Sequence, residues 1–566
     1  MSNPMWANHQ LLSFPLAFFA ASSVSGWVLL VAAAWWLRRS ERRENSRVSL
    51  WFWWLLLGGA LVAFRWPLIW LPHELYPDES QLLTGALTLR HDPVFWRSVD
   101  GHTAGPLDFY ALLPATFFPG ITVYAGARLT ATLLVWGMLV AAGETVALIA
   151  DRPFIRIVVL PAAVFAAFTT SPEFLHYSTE LVPGLLLALA GLLSVRQSIW
   201  PSPRNLWAVA LLLGATPFAK LQAGPAAAGL GLLLLGLEIA SGRPRNLGVL
   251  VIGALLPTLF VAALVTVTGQ SENLLIPYLL QNTFYAQNGR QPLGQVVHQL
   301  GEQTLTNGYL ALWFAGAVVF CTGAGLIARH VRGRLPRYGL AAAGLLLVAA
   351  GCILAPGRPY QHYLNLLIVP LTLLTGVALG LALQARMGDG SIIRPAWPMG
   401  LFLFCCLLPQ FVLRISNRPD PFEYYNTVVM APGPAHRQLV AATKELSRPG
   451  EPLGIWGWRS SLYVETGLIQ ATRQAHTEFQ LVTGPWQKYY LRRYYEDLVD
   501  SAPPVFADAT GPGNFRFNNW AASHEIYPLL RDWVRAHYEY IGVLDGVRLY
   551  VRRDRLPPAQ QMTLPR

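Results

Sequence analysis

Apolar runs near 20 residues recur through the first three-quarters of the chain, each closed by arginines or by polar stretches rich in proline and glycine. At 1.5 Å per helical residue such a run crosses the roughly 30 Å hydrocarbon core of a bilayer. Twelve spans are predicted, at 14–37, 49–71, 126–150, 155–171, 181–195, 205–219, 222–239, 247–268, 307–328, 338–355, 362–384 and 396–415. The polar connections alternate in character. One set (Arg38–Arg47, Asp151–Arg156, Arg196–Arg204, Arg243–Arg245, Arg329–Arg337, Arg386–Arg394) carries 17 arginines. The other, over much longer stretches, holds only Arg90, Arg97, Lys220, Arg290 and Arg358. Cytoplasmic loops concentrate basic residues, so the first set is assigned inside and both termini outside. The first apolar run lacks a basic n-region, so no cleavable signal peptide is expected.

Three outside segments exceed mere connectors: 72–125, 269–306 and 416–566. The first has a helical period over Leu82–Arg90. It continues through Gly105-Pro106-Leu107-Asp108-Phe109-Tyr110 into an apolar stretch ending at Phe118, expected to lie along the membrane surface. Strand patterns appear at Pro452–Trp458, Val505–Ala509 and Tyr538–Val551, the last with an Asp545-Gly546 hairpin turn. Helical patterns appear near Tyr489–Leu498 and Ile526–His537. The expected architecture is a polytopic α-helical membrane protein over 1–415, of about twelve transmembrane helices, with a small C-terminal α/β soluble domain over 416–566.

Composition agrees. Of 566 residues 53% are hydrophobic and 13% charged, about half the ~25% charge of soluble domains. The net charge of +11 divides into +9 over 1–415 and +2 over 416–566. Because the excess sits in alternate loops, it reads as topology, and no nucleic-acid partner is expected. Cys321, Cys352, Cys405 and Cys406 lie in apolar runs without metal-ligand spacing.

Candidate chemistry gathers in the outside loops. Asp78 and Glu79 follow Pro77 directly after the second span and open a helical segment, whose free N–H groups favour ionised carboxylates. Upstream, Arg65 lies within that span, where a charge is costly and usually has a task. His102 and Asp108 belong to a strip with aromatics that suits a sugar, against the plainer reading of a turn. Glu173 and Glu180 flank a short loop at the head of the next span. Lys220, the sole lysine before residue 415, stands beside Gln222 where two apolar runs meet; a compact ammonium suits phosphate. Arg358, Tyr360 and His362 form a further short loop. Acidic groups on two outer loops and cationic donors on two others suit an enzyme using a lipid-phosphate donor.

The acidic pair in Tyr76-Pro77-Asp78-Glu79, Gly105-Pro106-Leu107, the Lys220/Gln222 junction and His362-Tyr363 together resemble the GT-C class of membrane glycosyltransferases. The nearest likeness is to protein O-mannosyltransferase-like and aminoarabinose-transferase-like members, over residues 50–415. The resemblance implies a polyprenyl-phosphate-linked sugar donor and an outer-loop aspartate as base, which maps onto Asp78. The sequence departs by one extra span before the acidic loop's own, and by a glutamate (Glu173 or Glu180) where an aspartate is usual in the second loop. The expected activity is an inverting transfer of a sugar to an acceptor hydroxyl at the outer face of a bacterial inner membrane. The acceptor is a lipid, a polysaccharide or a protein. Glu79 would support Asp78. No cofactor is expected, although an acidic pair of this kind binds divalent metal weakly. The competing reading is a transporter or flippase of lipid-linked sugars, which predicts broken or charged helices at the bilayer midplane and repeat symmetry; neither is visible in the sequence.

Overall fold

The computed structural model describes residues 21–36, 47–118, 122–387, 396–416 and 433–556. Among them, nine helices are long and apolar enough to cross a membrane: Leu50–Ile69, Val123–Ala150, Leu181–Ile199, Leu221–Ala240, Asn246–Val267, Gly308–Ile327, Arg334–Leu354, Gln361–Ala385 and Trp397–Ser416. The other three expected spans are shorter. Of 14–37 the described part is a helix over Ala21–Trp36, and the rest lies outside the described residues. The run expected at 155–171 forms Pro153–Phe168. Its first seven residues, Pro153–Val159, are 3₁₀ helix, which rises about 2 Å per residue and carries the segment to roughly 27 Å. The run expected at 205–219 is helical only over the 13 residues Pro203–Ala215 before Thr216–Phe218 tightens to 3₁₀, a reach of about 20 Å for the α-helical part. The arginine loops at 38–46 and 388–394 lie outside the described residues.

The chain forms two compact units. The span unit comprises Met1–Trp70, Arg128–Ala262 and Tyr285–Val428. Of the nine membrane-length helices Gln361–Ala385 is the most enclosed, with 78% of its apolar stretch buried, against 17% for Trp397–Ser416; the first is central and the second presents an apolar face outward. Close packing depends on small residues. A Cβ on Gly316 would meet the Cys405 carbonyl and the Cys406 Cα, so glycine there lets Gly308–Ile327 approach the π-helical turn Leu403–Leu407. Arg65 is buried at 3% exposure. Its guanidinium donates to Thr132 Oγ1 at 3.2 Å and to the Phe174 carbonyl, so the charge is spent inside the unit instead of reaching for water.

The sheet unit comprises Leu71–Ala127, Ala263–Phe284 and Val429–Arg566. The change in composition at 416 therefore marks where the spans end, while the compact unit also takes in the first outer loop. Its sheet has the order β2-β1-β3-β5-β4, from β1 (Pro452–Gly457), β2 (Ile469–Gln470), β3 (Val505–Ala509), β4 (Tyr538–Leu544) and β5 (Val547–Arg552). β1 runs parallel to β2 and β3, and β5 antiparallel to β3 and β4. Asp545 and Gly546 close the β4–β5 hairpin with φ of 49° and 70°, the positive values that a two-residue type I′ turn requires. One face of the sheet packs Leu439, Leu462 and Tyr463 against Ile455, Ala507 and Leu549; the other packs Tyr494, Leu498 and Val534 against Trp456 and Phe506.

Side-chain to backbone bonds join the first outer loop to this core. Thr84 Oγ1 donates to the Ser460 carbonyl at 3.3 Å, and Thr88 Oγ1 accepts from Gln470 N at 3.1 Å. Asp100 forms a buried ion pair with Arg493. Asn273 Oδ1 accepts from Tyr489 Oη at 2.8 Å and from Arg473 and Arg493 at 3.4 Å each, which ties residues 263–284 into the same unit. The stretch expected to lie along the membrane surface forms the α-helix Pro106–Leu112 followed by 3₁₀ Leu113–Phe117.

Candidate functional site

In the span unit, three short loops bring five of the residues singled out in the sequence into one cluster. Ser171 precedes a single turn, Pro172–Leu175, which presents Glu173. Glu180 stands immediately before the helix Leu181–Ile199, and His362 lies in the 3₁₀ segment Gln361–Leu367. Glu173 Oε2 accepts from His362 Nδ1 and, at 3.3 Å, from the His362 backbone N–H. The far side of the imidazole faces Glu180, with Nε2 4.0 Å from Oε1. The same Glu180 oxygen is ion-paired with Lys220. The Lys220 ammonium also donates to Thr179 Oγ1 at 2.5 Å and lies 4.8 Å from the Tyr363 ring centre. Tyr360 stacks parallel on His362, centroids 5.5 Å apart.

Burial and charge pairing oppose each other here. Glu180 is fully enclosed and Lys220 3% exposed. Desolvation pushes the Glu180 carboxyl up, yet the Lys220 and His362 charges outweigh it and hold the pKa down to about 2. Glu173 is likewise raised by burial but drawn below its ordinary value by the hydrogen bond and charge of His362. Glu180 Oε2 is buried without a hydrogen-bond partner, so one oxygen of the ionised group retains acceptor capacity.

Beneath this cluster an apolar groove runs between the helices Leu181–Ile199, Gly224–Ala240, Arg334–Leu354 and Ile368–Met387. Its walls use Gly184, Ala188, Gly191, Ala226 and Ala349, residues too small to fill it. Asn365 lies at its head and donates to Ser178 Oγ at 3.2 Å, two residues from Glu180.

Two expected members lie elsewhere in the span unit. The Gln222 amide donates to the Cys352 carbonyl at 2.8 Å. Arg358 lies over the Tyr285 ring at 3.9 Å and donates to the Asn288 carbonyl at 3.0 Å. The sequence reading passed over Ser171, Thr179 and Asn365, and named Tyr363 only as the neighbour of His362. The first three are small polar residues whose place comes from tertiary packing.

The acidic pair belongs to the sheet unit. Pro77 occupies the first position of the helix Pro77–Leu89, with Asp78 and Glu79 in its first turn. Glu79 is fully buried. Its Oε2 reaches back past the N-cap residue Tyr76 to accept from Leu75 N at 3.0 Å, which ties the approaching chain to the first turn. Asp78 is half-buried. Ser80 Oγ bonds Tyr124 Oη at 2.8 Å. Glu74, unnoticed in the sequence, adjoins this group. Its pKa is raised by burial and by Glu465 and Glu79, against the lowering effects of Ser80 and Arg459.

His102 and Asp108 are both buried, at 6% and 0% exposure. His102 has φ 57° and stacks on His476 at 4.1 Å, which stacks on Trp458 at 3.6 Å. Burial pushes the His102 pKa down to about 4. Enclosed in a stack of three rings, it is packed as core and does not line an open strip for a sugar. Among the described residues, no group of three His, Cys, Asp or Glu side chains is placed to hold a metal ion.

Compared in three dimensions, the chain is similar to ArnT from Cupriavidus metallidurans in the apo state, with a TM-score of 0.53 and 14% identity over 89% of this chain and 99% of that one. A weaker likeness is to the Archaeoglobus fulgidus oligosaccharyltransferase in complex with zinc and sulfate, with a TM-score of 0.39 and 13% identity over 88% of this chain and 73% of that one. No family model and no curated protein matches the sequence. The chain has the ArnT fold, which is the fold its sequence resemblance implied.

Proposed function

We propose that the protein is a GT-C-type glycosyltransferase that moves a sugar from a polyprenyl-phosphate donor to an acceptor hydroxyl at the outer face of the membrane. The observation that carries this reading is the buried Lys220–Glu180–His362–Glu173 cluster at the head of an apolar groove. A prenyl-phosphate sugar has this division: a long apolar chain, then an anion, then a polar ring. The groove takes the chain and the cluster takes the phosphate.

The chemistry follows. The acceptor oxygen attacks the anomeric carbon, and the bond from that carbon to the phosphate oxygen breaks with its electron pair leaving on phosphate. Asp78 takes the acceptor proton. Charge grows on the phosphate as the bond opens, and Lys220 and His362 stabilise it in a site with little water. The Glu180–Lys220 pair keeps the ammonium compensated while the donor is absent, since an isolated buried charge is costly. Glu79 supports Asp78 by fixing the helix start.

The test is transfer of a labelled sugar from a panel of polyprenyl-phosphate donors by purified protein. Wild type should transfer from at least one donor. Asp78→Asn should lose about 10²–10⁴-fold and Lys220→Met about 10²-fold or more, the latter assayed below its lowered thermal midpoint. The reading fails if wild type transfers from none of the panel or if Asp78→Asn is fully active. Movement of the intact donor across a vesicle bilayer without transfer would favour the transporter reading instead.

A further inference from the structure

The sheet unit contains a second recess that the transfer chemistry does not use. It is a cleft of about 440 Å³ between the helix Pro528–His537 and the β4–β5 hairpin. Four arginines line it: Arg531, Arg535, Arg548 and Arg553. Tyr540 and Tyr550 add aromatic rings, with centroids 5.4 Å apart. His524 completes the lining and is held firmly: its Nδ1 donates to Asp508 Oδ2 at 2.6 Å, and its backbone N–H donates to the same oxygen at 3.1 Å. Asp508 is fully buried and is further bonded by Thr510 Oγ1 at 2.6 Å.

The carboxylates near the cleft define its charge. Glu525 pairs with Arg548 at 3.1 Å, Glu539 with Arg553 at 3.4 Å, and Asp532 with Arg531 at 2.8 Å. Four guanidinium groups therefore meet three carboxylates, and Asp532 is not among the lining residues. The pairs hold the arginines at a partly solvated rim, where ion pairs are weak and an incoming anion exchanges for them readily. Guanidinium forks match carboxylate and phosphate oxygens two at a time. Tyr540, 51% exposed, offers an accessible ring face with a polar tip. The volume lies in the range of sites that enclose a small ligand.

We propose that this cleft is a binding site for an anionic saccharide, a sugar carrying a carboxylate or a phosphate, separate from the transfer reaction. A bare inorganic anion would leave the tyrosine faces unused, and a neutral sugar would leave the arginine forks paired only with their own glutamates. Direct binding reads the site whether or not the chain transfers sugar.

The experiment is calorimetric titration of the purified full-length protein with four probes: tetragalacturonate, glucose 6-phosphate, maltotetraose and inorganic phosphate. At least one of the first two should bind roughly tenfold or more tightly than either of the last two; which of the two is tighter identifies the anionic group. Arg535→Gln, at an exposed position, and Tyr540→Ala should each weaken that probe by about tenfold, with the thermal midpoint unchanged. Equal binding of maltotetraose, equal binding of inorganic phosphate, absence of binding by both anionic sugars, or full affinity in both variants would each overturn the proposal.

Discussion

At the residue scale, the Glu180–Lys220 pair makes the stability of the span unit depend on pH. The carboxyl is held to about 2 when folded, below its ordinary 4.3 or so when unfolded. The unfolded chain therefore binds more protons between these values. The stability contributed by the pair is complete above about pH 4.5 and is lost as pH falls toward 2. In detergent, the thermal midpoint of wild type should fall across that interval, and that of Glu180→Gln should fall less. Removing the lysine is worse than removing both partners. Lys220→Met leaves Glu180 buried without its cation, a cost of about 3–5 kcal/mol, and Glu180→Gln combined with Lys220→Met should recover part of it. A double-mutant cycle of melting temperatures measures this; strict additivity would show that the two side chains do not interact.

His102 makes the opposite kind of demand. Its pKa of about 4 in the folded chain lies below the ordinary 6.5, so protonation favours unfolding as pH falls from 6.5 toward 4. His476, stacked beside it, is lowered by burial too. His102→Phe keeps a ring in the stack and cannot charge, so its stability profile should be flatter over that interval. The sequence marked His102 as a polar residue in a loop, and loops are usually exposed. Nothing local reveals that Trp458 and His476, more than 350 positions later, close over it.

At the element scale, the spans were legible because lipid imposes one rule on every turn of a long apolar helix. The structure departs from uniform α-helix in some of the expected spans. Pro153–Val159 and Thr216–Phe218 are 3₁₀ segments, and hydropathy does not distinguish them from α-helix. The strand Val505–Ala509 and the Asp545-Gly546 hairpin appear as expected because a short, mostly apolar run and a positive-φ turn are local signals. The candidate site was legible in part because it too carries local signals. Glu173, Glu180, Lys220 and His362 stand out as charges at span ends, whereas Thr179 and Asn365 have no such mark.

Close helix approach gives a test at this scale. Gly316 faces backbone atoms of Cys405 and Cys406, which cannot rotate away as a side chain can. Gly316→Ala should destabilise the span unit by about 1–3 kcal/mol, read as a lowered thermal midpoint, whereas Gly325→Ala, with no atom within 4 Å, should be neutral or slightly stabilising through helix propensity. Equal effects would show that Gly308–Ile327 does not pack as described.

At the scale of the whole molecule, the distribution of arginine makes the orientation testable. The native cysteines are a favourable background: Cys352, Cys405 and Cys406 are buried and Cys321 is partly so, all within apolar helices that a charged maleimide reaches poorly. Single cysteines introduced at exposed positions then report the two sides. Arg245 and Arg332 lie in arginine-rich connections, and Lys444 lies in the sheet unit; all three are exposed. The positive-inside rule assigns the first two to the cytoplasm. Intact cells treated with an impermeant maleimide should label Lys444→Cys, and Arg245→Cys and Arg332→Cys should label only after permeabilisation. The proposed chemistry requires this orientation, because Asp78 belongs to the same compact unit as Lys444. Labelling of Arg332→Cys with protection of Lys444→Cys would put the acidic helix on the cytoplasmic side and remove the outer-face reaction from consideration.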